Sequence, residues 1–274
     1  MFRKILVLAD NYRLTDHLLK YIPNVFPNSE YHVLSVVDFG YELLSVTDYI
    51  KETLEESAIE AMLHCSSVLE ESGITPRKTI IKGNFQAVVE KYIRENKIDL
   101  VATELYIDEV EKKSQFSSHV GGLFKAAPVP IFAMDRPVEL RKPKSVSILY
   151  TGTVHSEMAL TLGLRLASYL KSPCLVLYFG ERRREEIKSH IKWAARQLGV
   201  PLYFDTRECT SASEIVEIVG THDIFVTSRG GRSWKDRFSM VYKRLPLRKI
   251  EIETIMYVPV PMLLVGETTG LIHG

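Results

Sequence analysis

Residues 226–236 read VTSRGGRSWKD. A short apolar run ends in Ser228, Arg229, Gly230, Gly231 and Arg232, with Lys235 close behind. Glycines let a backbone take positive φ and come close to a ligand. Successive N–H groups then form a nest that attracts anions, and arginines add fork-shaped donors. The chemistry implied is phosphate or carboxylate binding. The competing reading is a solvated turn whose arginines pair with carboxylates.

Catalytic signatures are missing. The chain has no GxSxG elbow, no HExxH and no GxxxxGK[ST]. His119 follows Ser118, but no third residue completes a relay. His155 precedes Ser156 at a helix start, where Ser156 reads as an N-cap. Glu56, Glu60 and His64 share one helix face, a pattern that fits a solvated charged row better than a metal site. Cys65, Cys174 and Cys209 are too few and too widely spaced for a disulfide framework or a zinc site. They read as core residues in a reducing, cytoplasmic compartment. The run ERRREE (181–186) opens an amphipathic helix and reads as its solvated end, so no nucleic acid is expected. Trp234, Phe238 and Tyr242 recur every fourth residue in a basic segment, as core contact or as a partner face.

The elements that must position these residues alternate. KILVLA (4–9) is a continuous apolar run, as a parallel strand buried on both faces requires. A helix around LTDHLLKYI ends near Pro23, and YHVLSVV (31–37) is a second strand. From Val46 to Glu71 apolar residues recur every third or fourth position, with Gly73 at the C-cap. TIIKG, a helix at NFQAVVEKYIREN, DLVATE, a helix near 118–126 and VPIFAM complete the first series. VSILYTG, CLVLYFG, PLYFDT, DIFVTS and VPMLLVG repeat that order, each followed by a helical or basic segment until the last. Strands alternating with helices give an α/β fold with a doubly wound parallel sheet. Ligands then sit beyond the carboxyl ends of the strands where strand order reverses.

The 274 residues suggest two domains. The boundaries read as 1–136, a Pro- and charge-rich linker at 137–143, 144–267 and a tail at 268–274. Net charge is +1, which argues against a general polyanion binder. The halves differ, with 15 basic against 20 acidic residues over 1–136 and 20 against 14 over the rest. No apolar stretch reaches the ~18 residues of a membrane span.

Several of these stretches together resemble a known family. KILVLAD, KGNFQAVVEKYIRENKIDLVATE, VPIFAM, HDIFVTSRGGRS and VPMLLVG are similar to universal stress protein domains, and each half carries the likeness. The resemblance implies two tandem five-stranded parallel sheets in the order 3-2-1-4-5. It also implies a site for ATP, ADP or AMP. In ATP-binding members an Asp after the first strand contacts adenosine, and a backbone site on the second strand contacts adenine. A pattern Gly-x2-Gly-x9-Gly-Ser/Thr wraps the phosphates and ribose.

Both halves depart from that pattern. The first keeps Asp10, as nucleoside contact or as a helix cap, and Val37 stands near the adenine position. Glu104 and Ile107 replace the two glycines, and Ser117 and Ser118 fall where the closing Gly-Ser belongs. The second half has Thr151 in place of the Asp. Thr227 or Ser228 takes the first glycine position and Gly230 or Gly231 the second, while Arg248 and Lys249 replace the closing pair. The resemblance thus implies a non-catalytic binding or regulatory module with degenerate sites for an adenine nucleotide or another anion. The alternative is a ligand-free dimerising scaffold. The family pairs domains through the last strand, so VPIFAM and VPMLLVG are expected to pair within one chain or in a homo-oligomer.

Overall fold

The computed structural model describes residues 1–9, 15–38, 48–105, 122–124, 127–178, 184–200, 209, 211–229 and 254–266. Asp10, Ile107, Ser117, Ser118, His119, Gly230, Gly231, Arg232, Arg248, Lys249, the expected strand at 201–206 and the aromatic row at 234–242 lie outside these residues.

The first half runs β1 (Lys4–Leu8), α1 (Thr15–Val25), β2 (Glu30–Val37), α2 (Asp48–Glu71), β3 (Arg77–Lys82), α3 (Phe85–Asn96), β4 (Leu100–Glu104) and β5 (Ile131–Met134). The second runs β6 (Val146–Tyr150), α4 (Val154–Leu170), β7 (Cys174–Tyr178), α5 (Arg184–Gln197), α6 (Ala212–Val219), β8 (Ile224–Ser228) and β9 (Met262–Val265). All the described strands join one sheet in the order β3-β2-β1-β4-β5-β9-β8-β6-β7. The first half has the order 3-2-1-4-5, and the second follows the same scheme through its described strands. Every pairing is parallel except the seam, where β5 meets β9 antiparallel with Ile131 opposite Leu264 and Ala133 opposite Met262. The last strands therefore pair within one chain, the first of the two arrangements expected. With β4 and β8 on their other sides, neither has a free edge.

Continuous apolar strands explain this sheet. Alternate residues face opposite sides, and both sides are covered by helices. Ile5, Val7, Phe132, Ile148, Val226 and Leu263 face one side, beneath α1, α2 and α4. Leu6, Leu34, Val101, Leu149, Phe225 and Leu264 face the other, beneath α3 and α6. Each apolar layer runs across the seam without interruption. Complete burial of one such side chain stabilises by about 1.5–3 kcal/mol.

Local details differ from expectation at one helix end, the start of α4. Helix α1 ends near Pro23 as expected, with its last turn running to Val25. The ring removes one N–H, yet Ile22, Val25 and Phe26 are buried and hold the last turn in place. Phe26 N–H still donates to Ile22 O at 2.9 Å, and Asn24 Nδ2 donates to Lys20 O at 2.9 Å. In α4 the N-cap is Thr153, not Ser156. Thr153 Oγ1 accepts from Ser156 N at 3.2 Å, and Ser156 Oγ accepts from Thr153 N at 2.9 Å. This reciprocal box places Ser156 one turn inside the helix. Gly73 does end α2, at φ 77°, and Ile74 N–H reaches back to Leu69 O.

The segment between the halves is held at both ends. His17 Nε2 lies 2.8 Å from Val138 N and 2.6 Å from Val138 O. Further on, the Asp223 carboxylate accepts from Arg141 Nη2 at 2.6 Å, Lys144 N at 2.7 Å and Ser145 Oγ at 3.3 Å. Burial alone would raise the Asp223 pKa. The Lys144 N–H, the Arg141 guanidinium and the Ser145 hydroxyl outweigh it and hold the carboxyl below its usual range. A group depressed in the folded state stabilises fully above its unfolded pKa of ~3.9. That stabilisation is lost as pH falls through the folded pKa. Asp223→Asn is therefore expected to cost about 1–2 kcal/mol at pH 7, with the gap to wild type closing as the wild-type carboxyl protonates. Urea unfolding at pH 7 and in acid tests this, and a gap that stays constant with pH would contradict it.

Candidate functional site

In each half the switch in strand order falls between adjacent strands, β1 with β4 and β6 with β8. Pairing of Ile148 with Val226 brings Thr151 and Ser228 to the same end of the sheet. Beyond β6 the chain turns through Thr151, Gly152 and Thr153 into α4. Gly152 has φ 69°, a backbone that a Cβ would strain. Thr151 is buried, with Oγ1 3.2 Å from Thr153 Oγ1. Ser228 is buried at the last position of β8.

Two buried polar atoms near this switch have no hydrogen-bond partner among the described residues. They are Thr227 Oγ1, on β8, and His155 Nδ1, in the first turn of α4. Native proteins rarely leave such atoms alone, and those they do leave call for an explanation.

Arg229 points elsewhere than the anion chemistry of its loop suggests. Only 5% of it is exposed, and its guanidinium crosses the seam into the first half. It donates to Phe124 O, Ala127 O and, at 3.3 Å, Val129 O. Its backbone N–H donates to Val265 O at 2.8 Å. Gly266 makes this path possible, because a Cβ there would fall on the guanidinium.

The first half places Val37, 3% exposed, at the carboxyl end of β2. Beside it stands Asp38, which the sequence reading did not single out. Its carboxylate accepts from Phe85 N at 2.8 Å and, with Asn84, caps α3. An acid directly after a strand and opposite an Asn-led helix start was the available signal. Glu104 ends β4 half-buried, at the carboxyl end where a phosphate cradle would lie.

A second polar grouping, also missed, lies between α4 and α5. The Tyr150 hydroxyl donates to Glu157, and burial followed by that carboxylate raises the tyrosine pKa. Glu157 Oε2 lies 3.4 Å from His190 Nε2, and His190 stacks on Trp193. The row at Glu56, Glu60 and His64 is exposed, and His64 Nε2 lies 2.6 Å from Asp16 Oδ1. Among the described residues no group of three or more His, Cys, Asp or Glu side chains is placed to hold a metal ion. The three cysteines are free and buried, and burial pushes the Cys174 thiol up to about 12. No helix of the described residues is long and apolar enough to cross a membrane.

No family model and no curated protein matches the chain. Solved structures do. A universal stress protein from Archaeoglobus fulgidus DSM 4304 superposes with a TM-score of 0.77 at 15% identity, over 95% of each chain. A functionally unknown protein from Pseudomonas aeruginosa PAO1 gives 0.61 at 15% identity, over 97% of this chain and 93% of its own. The cytoplasmic domain of a prokaryotic cation chloride cotransporter gives 0.57 at 11% identity, over 97% and 95%. At such identities the likeness concerns the fold, which is that of the universal stress proteins.

Proposed function

We propose that the chain is a cytoplasmic, non-catalytic binding or regulatory module with two tandem units of universal stress protein type. Its ligand is an adenine nucleotide (ATP, ADP or AMP) or another anion, held at the carboxyl ends of β6 and β8. The observation that supports this most is that two buried polar atoms toward the carboxyl ends of these strands are unpartnered among the described residues, Thr227 Oγ1 on the face of β8 away from α4 and His155 Nδ1 in the first turn of α4. Gly152, with its left-handed backbone at the mouth of α4, gives the main chain room to approach a ligand there. The loop Gly230, Gly231 and Arg232 supplies the donors an anion needs. The first half keeps the nucleoside side of a site in Asp10, Val37, Ser117 and Ser118, but Glu104 repels a phosphate.

Mass spectrometry of small molecules released from freshly desalted protein tests this reading, followed by titration with ATP and AMP. Gly230→Val combined with Arg232→Glu is expected to weaken nucleotide binding at least about tenfold. Unchanged affinity would remove the second-half site, and loss with Asp10→Ala instead would move the ligand to the first half. Incubation with ATP is expected to release no phosphate.

The inward turn of Arg229 favours a second reading, a ligand-free interaction scaffold. The fold's occurrence as the cytoplasmic domain of a cotransporter fits such a role. Release of no nucleotide, together with a concentration-dependent sedimentation coefficient, would support it. Such an oligomer would use a surface other than β5 and β9, because both strands are already paired on each side.

A further inference from the structure

Strand β8 is tied by a charged side chain at each end, and the two ties differ in place. At its amino end Asp223 accepts from Arg141 Nη2 and Lys144 N. At its carboxyl end the tie is Arg229, the residue directly after Ser228. This is the end of the sheet that Thr151 and Ser228 share. The related position of the first half shows what such a strand end requires. Glu104 pairs with Met134 and Ser228 pairs with Val265, so Leu105 and Arg229 occupy the same place in the two halves. Leu105 N–H donates to Met134 O at 2.8 Å, and Arg229 N–H donates to Val265 O at 2.8 Å. Both side chains are buried. A leucine therefore satisfies the backbone and the core at this point, and the guanidinium is an addition. It is found in the half whose strand ends in Ser228, and not in the half that has Glu104 there.

The target of that addition is a helix end. Ala127 N–H closes a helical turn on Leu123 O at 2.9 Å. Arg229 donates to Phe124 O and Ala127 O in that turn and to Val129 O just beyond it. Carbonyls at a helix C-terminus lack donors within the helix and carry the negative end of its dipole, so a buried guanidinium is held there firmly. Val129 leads through Pro130 into β5. The path of the chain out of β8 is thus set from two sides. Val265 O holds its backbone, and the first half holds its side chain.

We propose that Arg229 is a positioning residue that makes the ligand site of the second half depend on Phe124, Ala127 and Val129 of the first. With its Nη donors directed at three carbonyls, it does not contact the ligand. It fixes Ser228 and the exit from β8 relative to Thr151 and Gly152. A ligand at the ends of β6 and β8 is then felt across the seam at Ala127 and Val129, and the two halves act as one binding unit. This coupling rests on the nucleotide or anion site proposed above, and it assigns that site a part of the first half that no nucleotide touches.

Isothermal titration with ATP and with AMP, combined with hydrogen exchange read by mass spectrometry, tests the coupling. In the wild-type protein saturating ATP is expected to slow exchange at 127–134 as well as at 149–156. Arg229→Met is expected to weaken ATP and AMP by the same factor, about tenfold, and to abolish the slowing at 127–134. Gly266→Ala drives a methyl into the guanidinium and should act in the same direction, which keeps the test decisive where Arg229→Met folds poorly. Asp223→Asn loosens the other end of β8 and is expected to leave both affinities within about twofold. Equal affinity of the Arg229→Met and wild-type proteins would overturn the coupling and leave the nucleotide site standing. So would slowing at 149–156 without slowing at 127–134 in the wild type. A loss much larger for ATP than for AMP would overturn it by making Arg229 a phosphate contact. Equal weakening by Asp223→Asn would overturn it by reducing the effect to lost stability. Wild-type protein that binds neither nucleotide would remove the site itself and the coupling with it.

Discussion

Replacing Arg229 by methionine is expected to lower the unfolding free energy by about 3 kcal/mol. The guanidinium supplies donors to Phe124 O, Ala127 O and Val129 O, all on the far side of the seam. Methionine fills similar volume but leaves those buried carbonyls without these donors, and each loss costs on the order of 1–3 kcal/mol before relaxation. Lysine should recover little, because one ammonium cannot serve three acceptors spread across a loop. Gly266→Ala should act on the same contact by driving a methyl into the guanidinium. The two changes should therefore be less than additive, as expected of residues sharing one interaction. Urea midpoints of the single and double variants measure this. An Arg229→Met midpoint equal to wild type would show that the seam does not depend on the guanidinium.

Gly163→Val is expected to cost about 2–3 kcal/mol, although valine is a better helix former than glycine. Gly163 sits where α4 crosses β6 and β8. A Cβ there would lie 2.6 Å from Ile148 Cδ1, 2.8 Å from Ile148 Cγ1 and 3.3 Å from Val226 Cγ1. Both neighbours are fully buried, so neither side chain has space to swing into. Alanine should cost less, about 1 kcal/mol, because its helix propensity offsets part of the strain. Ile148→Val removes the nearest methyl, so Gly163→Ala should be better tolerated in that background. Thermal or urea unfolding of the four proteins of this cycle gives the coupling. Simple additivity would mean that the helix moves outward rather than pressing on Ile148.

Much of this fold is legible in the sequence because strand burial is written as continuous apolar runs. VSILY, CLVLY and IFVTS are buried at every position, and no surface helix produces that pattern. The alternation of these runs with helical segments fixed where Thr151, Ser228 and Val37 would lie, since each follows or ends a strand. Pairing across the seam was less legible. IFAM and MLLV are equally suited to meet within a chain or between chains, and their proximity in the fold decides it. Side-chain direction was the least legible. Nothing local distinguishes an Arg229 facing an anion from one whose partners lie some hundred residues earlier. Helix caps failed for a related reason. Thr153 and Ser156 are both good capping residues three positions apart, and only the backbone at Thr153, with φ −97° and ψ 160°, selects between them.

The antiparallel seam also bears on synthesis. A ribosome completes β5 roughly 130 residues before β9, an interval on the order of 10 s at ordinary elongation rates. Until β9 arrives, one side of the apolar strand IFAM offers unpaired N–H and C=O groups. Two nascent chains at that stage carry identical edges, and an antiparallel edge is able to pair with its own copy. The correct partner must arrive first. Contacts of Val138 with His17 and of Arg141 with Asp223 hold the connecting segment against both halves. A short tether of that kind raises the local concentration of the partner strand to the millimolar range. The docked segment thereby biases the competition toward closure within one molecule and away from exchange of halves between neighbours.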